Sequence, residues 1–198
     1  TNDPFTYGEF RTRVQLAACA SNEELVNGVF TYFNDGDDHD GDGLIDNSEI
    51  DIEILCSDPS ILSLTIWSEY TSDDDGGNVH VTREIDTTTG DYWDTLNYTT
   101  DLGGGNSADF LLDGFPDADA FYEMGFDWSA GAVRYFLVFG GEEVTLWEFD
   151  DPAYIPSLPA YFLFNVWHSS DWWNEDGEGD YPANDAVMRV DWLRYWAH

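Results

Sequence analysis

Basic residues are scarce in this chain of 198 residues, which has six arginines and not one lysine. It has 41 aspartates and glutamates, and its formal net charge is therefore -35. Nucleic acids and anionic membranes are bound through basic patches, so this balance predicts no nucleic-acid and no membrane partner. Because salt relieves self-repulsion of this size, we expect a high-salt environment.

Other absences narrow the class of protein further. The chain has no apolar run of about 18 residues, so we expect no transmembrane helix. The opening Thr-Asn-Asp-Pro does not resemble a signal peptide and is typical of a mature chain, which favours a secreted, extracellular protein. Cysteine is limited to Cys19 and Cys56, an even count that allows one disulfide but does not establish it.

Aromatic residues, in contrast, make up 17% of the chain, and hydrophobic residues make up 42%, which excludes intrinsic disorder. Such an aromatic content suits either a sugar-binding cleft or the core of a β-sandwich. Amphipathic helix patterns are missing, whereas short alternating segments predict strands. These segments are 10–16, 29–33, 49–55, 61–67, 79–85, 92–98, 121–128, 133–139, 143–149, 161–167 and 186–195.

Glycine- and aspartate-rich clusters separate these segments. The clusters at 73–77 and 103–106 predict turns, and Gly140-Gly141 predicts a two-residue hairpin. Many short strands with frequent turns are typical of a sandwich. We predict an all-β fold, a β-jelly-roll sandwich of two antiparallel sheets, in a single domain over residues 1–198.

One predicted strand, residues 49–55, alternates strictly between acidic and apolar side chains. In an extended chain Glu49, Asp51 and Glu53 share one face, and isoleucines occupy the other. Crowded carboxylates repel one another and push their pKa values apart, and glycosidases require such a pair of unlike carboxyl groups. In so acidic a protein, a solvated amphipathic strand is the alternative interpretation.

The sequence Glu-Ile-Asp-Ile-Glu at 49–53 resembles the signature of glycoside hydrolase family 16. It has the form without a β-bulge, as in the lichenases (endo-β-1,3-1,4-glucanases), the xyloglucan-active enzymes and the fungal wall transglycosylases. Further blocks resemble family elements in family order. They lie at 7–13, 28–33, 126–129, 164–167 and 190–195.

The resemblance implies a jelly roll whose concave face forms a substrate cleft for a polysaccharide. It also implies a retaining endo-hydrolase, with Glu49 as the nucleophile and Glu53 as the acid/base. Asp51 would hold the orientation and the charge of the nucleophile.

The same resemblance implies a set of residues that line the cleft. Arg13 and Asn165 would donate or accept hydrogen bonds at sugar hydroxyls, and Trp167 would stack on a ring. The alternatives are a structural ion pair for Arg13 and core packing for Trp167. Trp172 and Trp173 follow in a glycine-flanked loop that suits a sugar platform.

The chain departs from the lichenases at several positions. Asn47 stands where they carry Trp, Arg11 where they carry Glu, and Tyr122 where they carry His. Because the first matched block begins at Tyr7, we expect the family's N-terminal strands to be missing or abbreviated. These differences leave the glycan and its linkage open.

An acidic loop precedes the strand of three carboxylates and reads D-x-D-x-D-G-x-x-D. This spacing is typical of an EF-hand-type calcium loop, and its twelfth position is Glu49. We expect a structural Ca²⁺ without Glu49 as a ligand, because a bound dication would quench the nucleophile; a solvated acidic loop is the alternative. The expected ligands are Asp38, Asp40, Asp42 and Asp46. The family resemblance also implies a separate calcium at Asp191.

These observations predict a monomeric endo-β-glucanase acting on neutral β-1,3-1,4-glucan. Alternatives within the family are a laminarin-type endo-β-1,3-glucanase, a marine galactanase and a transglycosylase. The first two generally insert a residue between the positions of Asp51 and Glu53, which this chain does not. A non-catalytic carbohydrate-binding β-sandwich is a further alternative, although it predicts loss of the carboxylates that are present here.

Overall fold

The computed structural model describes residues 1–19, 25–70, 77–168 and 185–198. These residues form twelve β-strands, a short 3-10 helix at Pro152–Tyr154 and no α-helix. The strands are β1 (Gly8–Gln15), β2 (Leu25–Tyr32), β3 (Asp46–Leu55), β4 (Ile61–Glu69), β5 (Val79–Asp86), β6 (Asp91–Leu96), β7 (Thr100–Ser107), β8 (Tyr122–Trp128), β9 (Val133–Phe139), β10 (Glu142–Phe149), β11 (Tyr161–His168) and β12 (Arg189–Trp196).

The strands form two antiparallel sheets. One has five strands in the order β10-β9-β8-β1-β12, and the other has seven in the order β11-β2-β3-β4-β5-β6-β7. Strands far apart in sequence are neighbours in both sheets, since β1 pairs with β12 and β2 with β11. The predicted all-β jelly-roll sandwich is confirmed, and β3 lies inside the seven-stranded sheet between β2 and β4.

The core lies between the two sheets and is built from side chains of most of the strands. In β3, Ile50, Ile52 and Ile54 are fully buried there, as the alternation of residues 49–55 predicts. The rings of Phe10 in β1 and Phe162 in β11 stack across the sandwich with centroids 5.6 Å apart. Burial of these large side chains fixes which face of β3 can be turned away from the core.

Two turn predictions have different outcomes. Gly140 and Gly141 join β9 to β10 with φ of 62° and 88°, and this two-residue hairpin is confirmed. The turn predicted at 103–106 is wrong, because these residues lie in β7 and pair with β6. Glycine has no side chain that could alternate between apolar and polar, so the sequence pattern does not predict this strand. The cluster at 73–77 lies almost wholly outside the described residues.

A disulfide joins Cys19 to Cys56 across 37 positions of sequence, with the Cα atoms 4.7 Å apart. It connects the segment after β1 to the end of β3, where the Cys56 N–H also donates to the Leu25 carbonyl. The disulfide that the cysteine count allows is therefore present. Nowhere in the described ranges is there a helix with the length and hydropathy needed to cross a membrane.

Candidate active site

The three carboxylates of β3 lie on the face of the seven-stranded sheet that is turned away from the core, here called the site face. Their ladder with β4 is continuous, pairing Glu49 with Trp67, Asp51 with Thr65 and Glu53 with Ser63. No residue is inserted between Asp51 and Glu53. A register shift occurs earlier, between Asp46 and Glu49, where β3 has one residue more than β4.

These side chains are not solvated. Asp51 is only 5% exposed, and Glu49 and Glu53 are partly buried. The alternative interpretation of a solvated amphipathic strand is therefore wrong. Since burial of a carboxyl group disfavours its charged form, the arrangement costs stability and requires hydrogen-bond donors.

Each of the three carboxyl groups accepts a hydrogen bond from a different side chain. Asn47 Nδ2 donates to Glu49 Oε2 at 2.9 Å. The Trp67 side chain donates to Asp51, and the Trp167 side chain donates to Glu53. The three donors lie on β3, β4 and β11, so three strands together orient the carboxyl groups.

Burial raises the pKa of Glu49 to about 7, although the hydrogen bond from Asn47 acts in the opposite direction. The pKa of Glu53 is also raised to about 7, first by burial and then by the negative charge of Glu49. Burial and the charges of both glutamates raise the pKa of Asp51 well above its usual range. Near neutral pH the set therefore holds protons, and ionising one member disfavours ionisation of the next.

An aromatic group lies beside the carboxylates on the site face. The rings of Trp67 and His80 stack with centroids 3.9 Å apart, and the Tyr98 ring lies 4.2 Å from His80 and 6.3 Å from Trp67. Desolvation lowers the pKa of His80 to about 4, so this imidazole is neutral. Trp67 lies in the predicted strand 61–67 but had no predicted role, and no sequence signal singled out His80 or Tyr98.

Tyr98 reaches the carboxylates from the turn between β6 and β7. Asn97 and Tyr98 have φ of 51° and 55°, a left-handed conformation that is uncommon outside glycine. Hydrogen bonds between Asn97 and the His80 backbone fix this turn onto β5. The pKa of Tyr98 is raised first by desolvation and then by the charges of Glu53 and Asp51.

Asn165 and Trp167 lie on the same sheet, on the edge strand β11. Asn165 is the cross-strand partner of Gly28, which in turn pairs with Glu53. A Cβ atom on Gly28 would lie 2.3 Å from Asn165 Oδ1, so this glycine makes room for the carboxamide. The structure thus brings both predicted residues to Glu53. Trp172 and Trp173 lie outside the described residues.

Arg13 is a correction to the sequence prediction. It lies on β1 in the five-stranded sheet, where Phe10 and Val14 face the core and Arg13 faces outward. Its guanidinium donates to Asp191 Oδ2 at 2.6 Å and lies over the Phe121 ring. The structural ion pair, and not a place in the cleft, is therefore its role.

Asp191, where a separate calcium is expected, takes part in the same ion pair. This carboxylate is paired with Arg13, and among the described residues it belongs to no group of three or more possible metal ligands. The calcium at Asp191 therefore stays a prediction.

The acidic loop before β3 brings several predicted ligands together. Ligand atoms of Asp38, Asp40 and Asp42 lie within 4.8 Å of one another, and a second group joins Asp40 and Asp46 to Glu69. Glu69, which sequence reasoning missed, is the cross-strand partner of Asp46 on β4. Burial and the surrounding aspartates raise the pKa of Glu69 to about 8.

Glu49 belongs to none of the possible metal groups in the described part of the chain. The register shift between Asp46 and Glu49 explains this separation. It sets the two residues against Glu69 and Trp67, respectively, and Asn47 holds Glu49 on the site face.

Comparison with known proteins finds similarity in sequence and in structure. No protein-family model matches the chain. A β-glucanase of Bacillus amyloliquefaciens is 30% identical over 101 residues, which cover 50% of this chain and 38% of that relative. The matched segment thus spans less than half of the relative's length.

Solved structures share the fold at lower identity. A Bacteroides ovatus mixed-linkage glucan enzyme of family 16, in complex with its product, has a TM-score of 0.55 at 16% identity, covering 98% of this chain and 70% of that one. A Thermotoga petrophila laminarinase catalytic domain has a TM-score of 0.52 at 14% identity, covering 97% and 64%. A Crh5 transglycosylase has a TM-score of 0.57 at 14% identity, covering 98% and 65%.

Proposed function

Because the chain resembles glycoside hydrolase family 16 of the lichenase type in sequence and fold, we propose that it is a retaining endo-β-glucanase. The observation that carries this proposal is the row of Glu49, Asp51 and Glu53. All three project from one continuous stretch of β3, all are largely buried, and each accepts a hydrogen bond from its own donor. A sugar-binding module has no need of such a costly set of buried acids.

The two glutamates suit a double displacement because they favour opposite protonation states. The charge of Glu49 raises the pKa of Glu53, so the pair holds one proton near neutral pH. Asn47 donates to Glu49 and favours its ionised form. We assign the nucleophile to Glu49 and the general acid to Glu53.

In the first step, a Glu49 oxygen forms a bond to the anomeric carbon as the glycosidic C–O bond breaks. Glu53 gives its proton to the departing oxygen and becomes a carboxylate. In the second step, Glu53 takes a proton from water, whose oxygen attacks the anomeric carbon and releases Glu49. Two inversions at one carbon give net retention of configuration.

Asp51 lies between the glutamates and supports them without touching the reacting bond. It is buried, and Trp67 fixes its carboxyl group. A protonated Asp51 adds no charge to the site. Glu49 can then ionise with one fewer neighbouring anion, and we assign Asp51 to positioning the nucleophile.

The substrate we propose is a neutral β-1,3-1,4-glucan bound across the site face as a cleft. An uncharged glycan suits a protein with a net charge of -35. The ladder between Asp51 and Glu53 contains no inserted residue, which favours the lichenase type over laminarin-type enzymes. Tyr98 is 51% exposed beside the carboxylates and offers a ring face to a pyranose.

The setting that we propose is extracellular and rich in salt, with the protein acting as a monomer. The disulfide between Cys19 and Cys56 supports an oxidising compartment, since such bonds are rare in the cytosol. The excess of acidic over basic residues supports the high-salt part of the proposal.

The experiment is to incubate the purified chain with barley β-glucan, laminarin, xyloglucan or agar. The buffer contains 1 M NaCl, roughly the level at which charge screening is nearly complete. We expect the protein to release reducing ends from barley β-glucan and to form oligosaccharide products from early time points. Product sizing separates hydrolysis from transglycosylation, which yields chains longer than the donor fragments. Release of reducing ends from none of the four would overturn the hydrolase proposal.

A further inference from the structure

The Glu69 side chain, at the end of β4, has a buried carboxylate oxygen without a partner. The residue is 9% exposed, and its Oε2 accepts no hydrogen bond from the described residues. Its cross-strand partner is Asp46, which is equally buried. Ionising two buried carboxyl groups side by side is costly, because an isolated buried charge costs several kcal/mol, on the order of the whole stability of many domains, and a bound cation would offset that cost.

The protein does not supply that compensation with a basic side chain. Each arginine ion pair in the described ranges involves a carboxylate elsewhere, such as Glu143, Asp191 or Asp94. In the loop itself His39 pairs with Asp35. The backbone N–H of His39 donates to Asp46 Oδ2, and Glu69 Oε2 receives no such contact from the described residues.

Glu69 points at carboxylates that already lie at metal-binding distance. Ligand oxygens of Asp40, Asp46 and Glu69 are all within 4.8 Å of one another. Asp40 also belongs to the group with Asp38 and Asp42, so the two groups are continuous through it.

We propose that Asp40, Asp46 and Glu69 bind one Ca²⁺ ion, with Glu69 as the ligand that closes the site from the sheet. Asp38 and Asp42 complete the loop side. In the linear spacing of an EF-hand loop, the closing acid would be Glu49 in the twelfth position. Here the register shift in β3 turns Glu49 to the site face and leaves that role to Glu69 across the strand pair.

The donor set selects calcium among common metals. All of these ligands are carboxylates, and calcium takes six to eight oxygen ligands, about 2.3–2.6 Å away, in flexible geometry. Zinc and copper prefer imidazole or thiolate donors, of which these groups contain none. Magnesium demands a stricter octahedron and retains water, so a cluster with two buried carboxylates suits it less.

The ion would join the acidic loop to β3 and β4 at the end nearest the carboxylates. In the ladder between β3 and β4, the pair next to Asp46 and Glu69 is Glu49 and Trp67. The Tyr70 N–H donates to the Ile45 carbonyl just beyond the same pair. Binding would therefore stabilise the strand ends that carry Glu49 and Trp67, whatever substrate the protein acts on.

Isothermal titration of the full chain tests this proposal. The protein is first treated with a chelator and then titrated with CaCl₂ in 1 M NaCl, so that diffuse cation binding to the acidic surface is screened. We expect one saturable site per chain and a melting temperature that rises with Ca²⁺ more than with Mg²⁺. Glu69→Gln should weaken the affinity at least tenfold, and Asp40→Asn, at an exposed position that does not threaten folding, should do the same.

Two variants serve as matched controls. Asp35→Asn removes an exposed acid of the same loop that lies outside the proposed site, and it should leave the affinity within twofold. Glu49→Gln removes the acid in the twelfth position and should also leave the affinity within twofold. The proposal is overturned by the absence of saturable binding up to 10 mM, by unchanged affinity in both Glu69→Gln and Asp40→Asn, or by loss of binding in Glu49→Gln.

Discussion

The Trp67 side chain donates a hydrogen bond to Asp51 while its ring stacks on His80, with centroids 3.9 Å apart. Trp67 thus connects the most buried carboxyl group of the site to the aromatic group on β5 and the β6–β7 turn. Trp67 is also the cross-strand partner of Glu49, the proposed nucleophile. From β4 it therefore lies beside Glu49 and holds Asp51, the residue that we assign to positioning Glu49. This relationship predicts a role for Trp67 beyond packing.

Replacing Trp67 with phenylalanine should keep a ring on His80 and remove the donor to Asp51. Because a hydrogen bond to such a group contributes about 1–3 kcal/mol, we expect kcat on barley β-glucan to fall roughly 10- to 100-fold. The matched control is Trp93→Phe, since Trp93 on β6 donates its indole N–H to Glu84 on β5 and not to one of the three carboxylates. Equal kcat values for the two variants would count against the role of Trp67.

The pH dependence of kcat/KM should be bell-shaped and centred near pH 7, because burial raises the pKa values of Glu49 and Glu53 to about 7. The nucleophile must be ionised, so the rate falls as the pH drops through the lower value of the pair. The acid must be protonated, so the rate also falls as the pH rises through the upper value. Initial rates between pH 4 and 10 test this, and a plateau down to pH 4 would show that the pair is not buried as described.

The contact between Gly28 and Asn165 predicts a selective loss of substrate binding. In Gly28→Ala the new Cβ would lie 2.3 Å from Asn165 Oδ1, so the carboxamide must swing away from Glu53. We expect KM to rise about fivefold or more with a modest fall in melting temperature. Gly131→Ala is the control, because a Cβ there meets nothing within 4 Å. If KM does not change in Gly28→Ala, Asn165 does not bind the sugar.

Salt should stabilise the protein, since 41 acidic residues face only six arginines. We expect the melting temperature to rise between 0.1 and 3 M NaCl, and to keep rising above about 1 M, where the Debye length is already near 3 Å. Differential scanning calorimetry measures this directly. A melting temperature that does not change with salt would count against a high-salt habitat.

The sequence was sufficient to predict β3 and most other strands. Strict alternation in residues 49–55 correctly predicts that the isoleucines are buried and that the three carboxylates lie on one face. A two-residue period specifies the two faces of a strand without any tertiary information. The resemblance to family 16 is supported by the 101-residue match and by the shared fold.

Other features depend on which strands pair, and no local pattern contains that information. Arg13 lies at an outward-facing position of its strand, but that strand belongs to the five-stranded sheet and not to the sheet of the three carboxylates. Glu69 becomes a candidate ligand only through its register with Asp46, and Tyr98 reaches the site through a left-handed turn. The glycines of β7 give no alternation at all. Strand pairing therefore decides the parts of the site that sequence reasoning missed or misplaced.

The most direct test of the central claim is chemical rescue of Glu49→Ala with sodium azide, using an aryl β-glucan oligosaccharide that has a good leaving group. If Glu49 is the nucleophile, the variant should lose activity by about three orders of magnitude or more, and azide should restore it. The product should then be the α-glycosyl azide, identified by the anomeric proton coupling in NMR. Full activity of Glu49→Ala without azide, or rescue that yields the β-azide, would contradict the assignment.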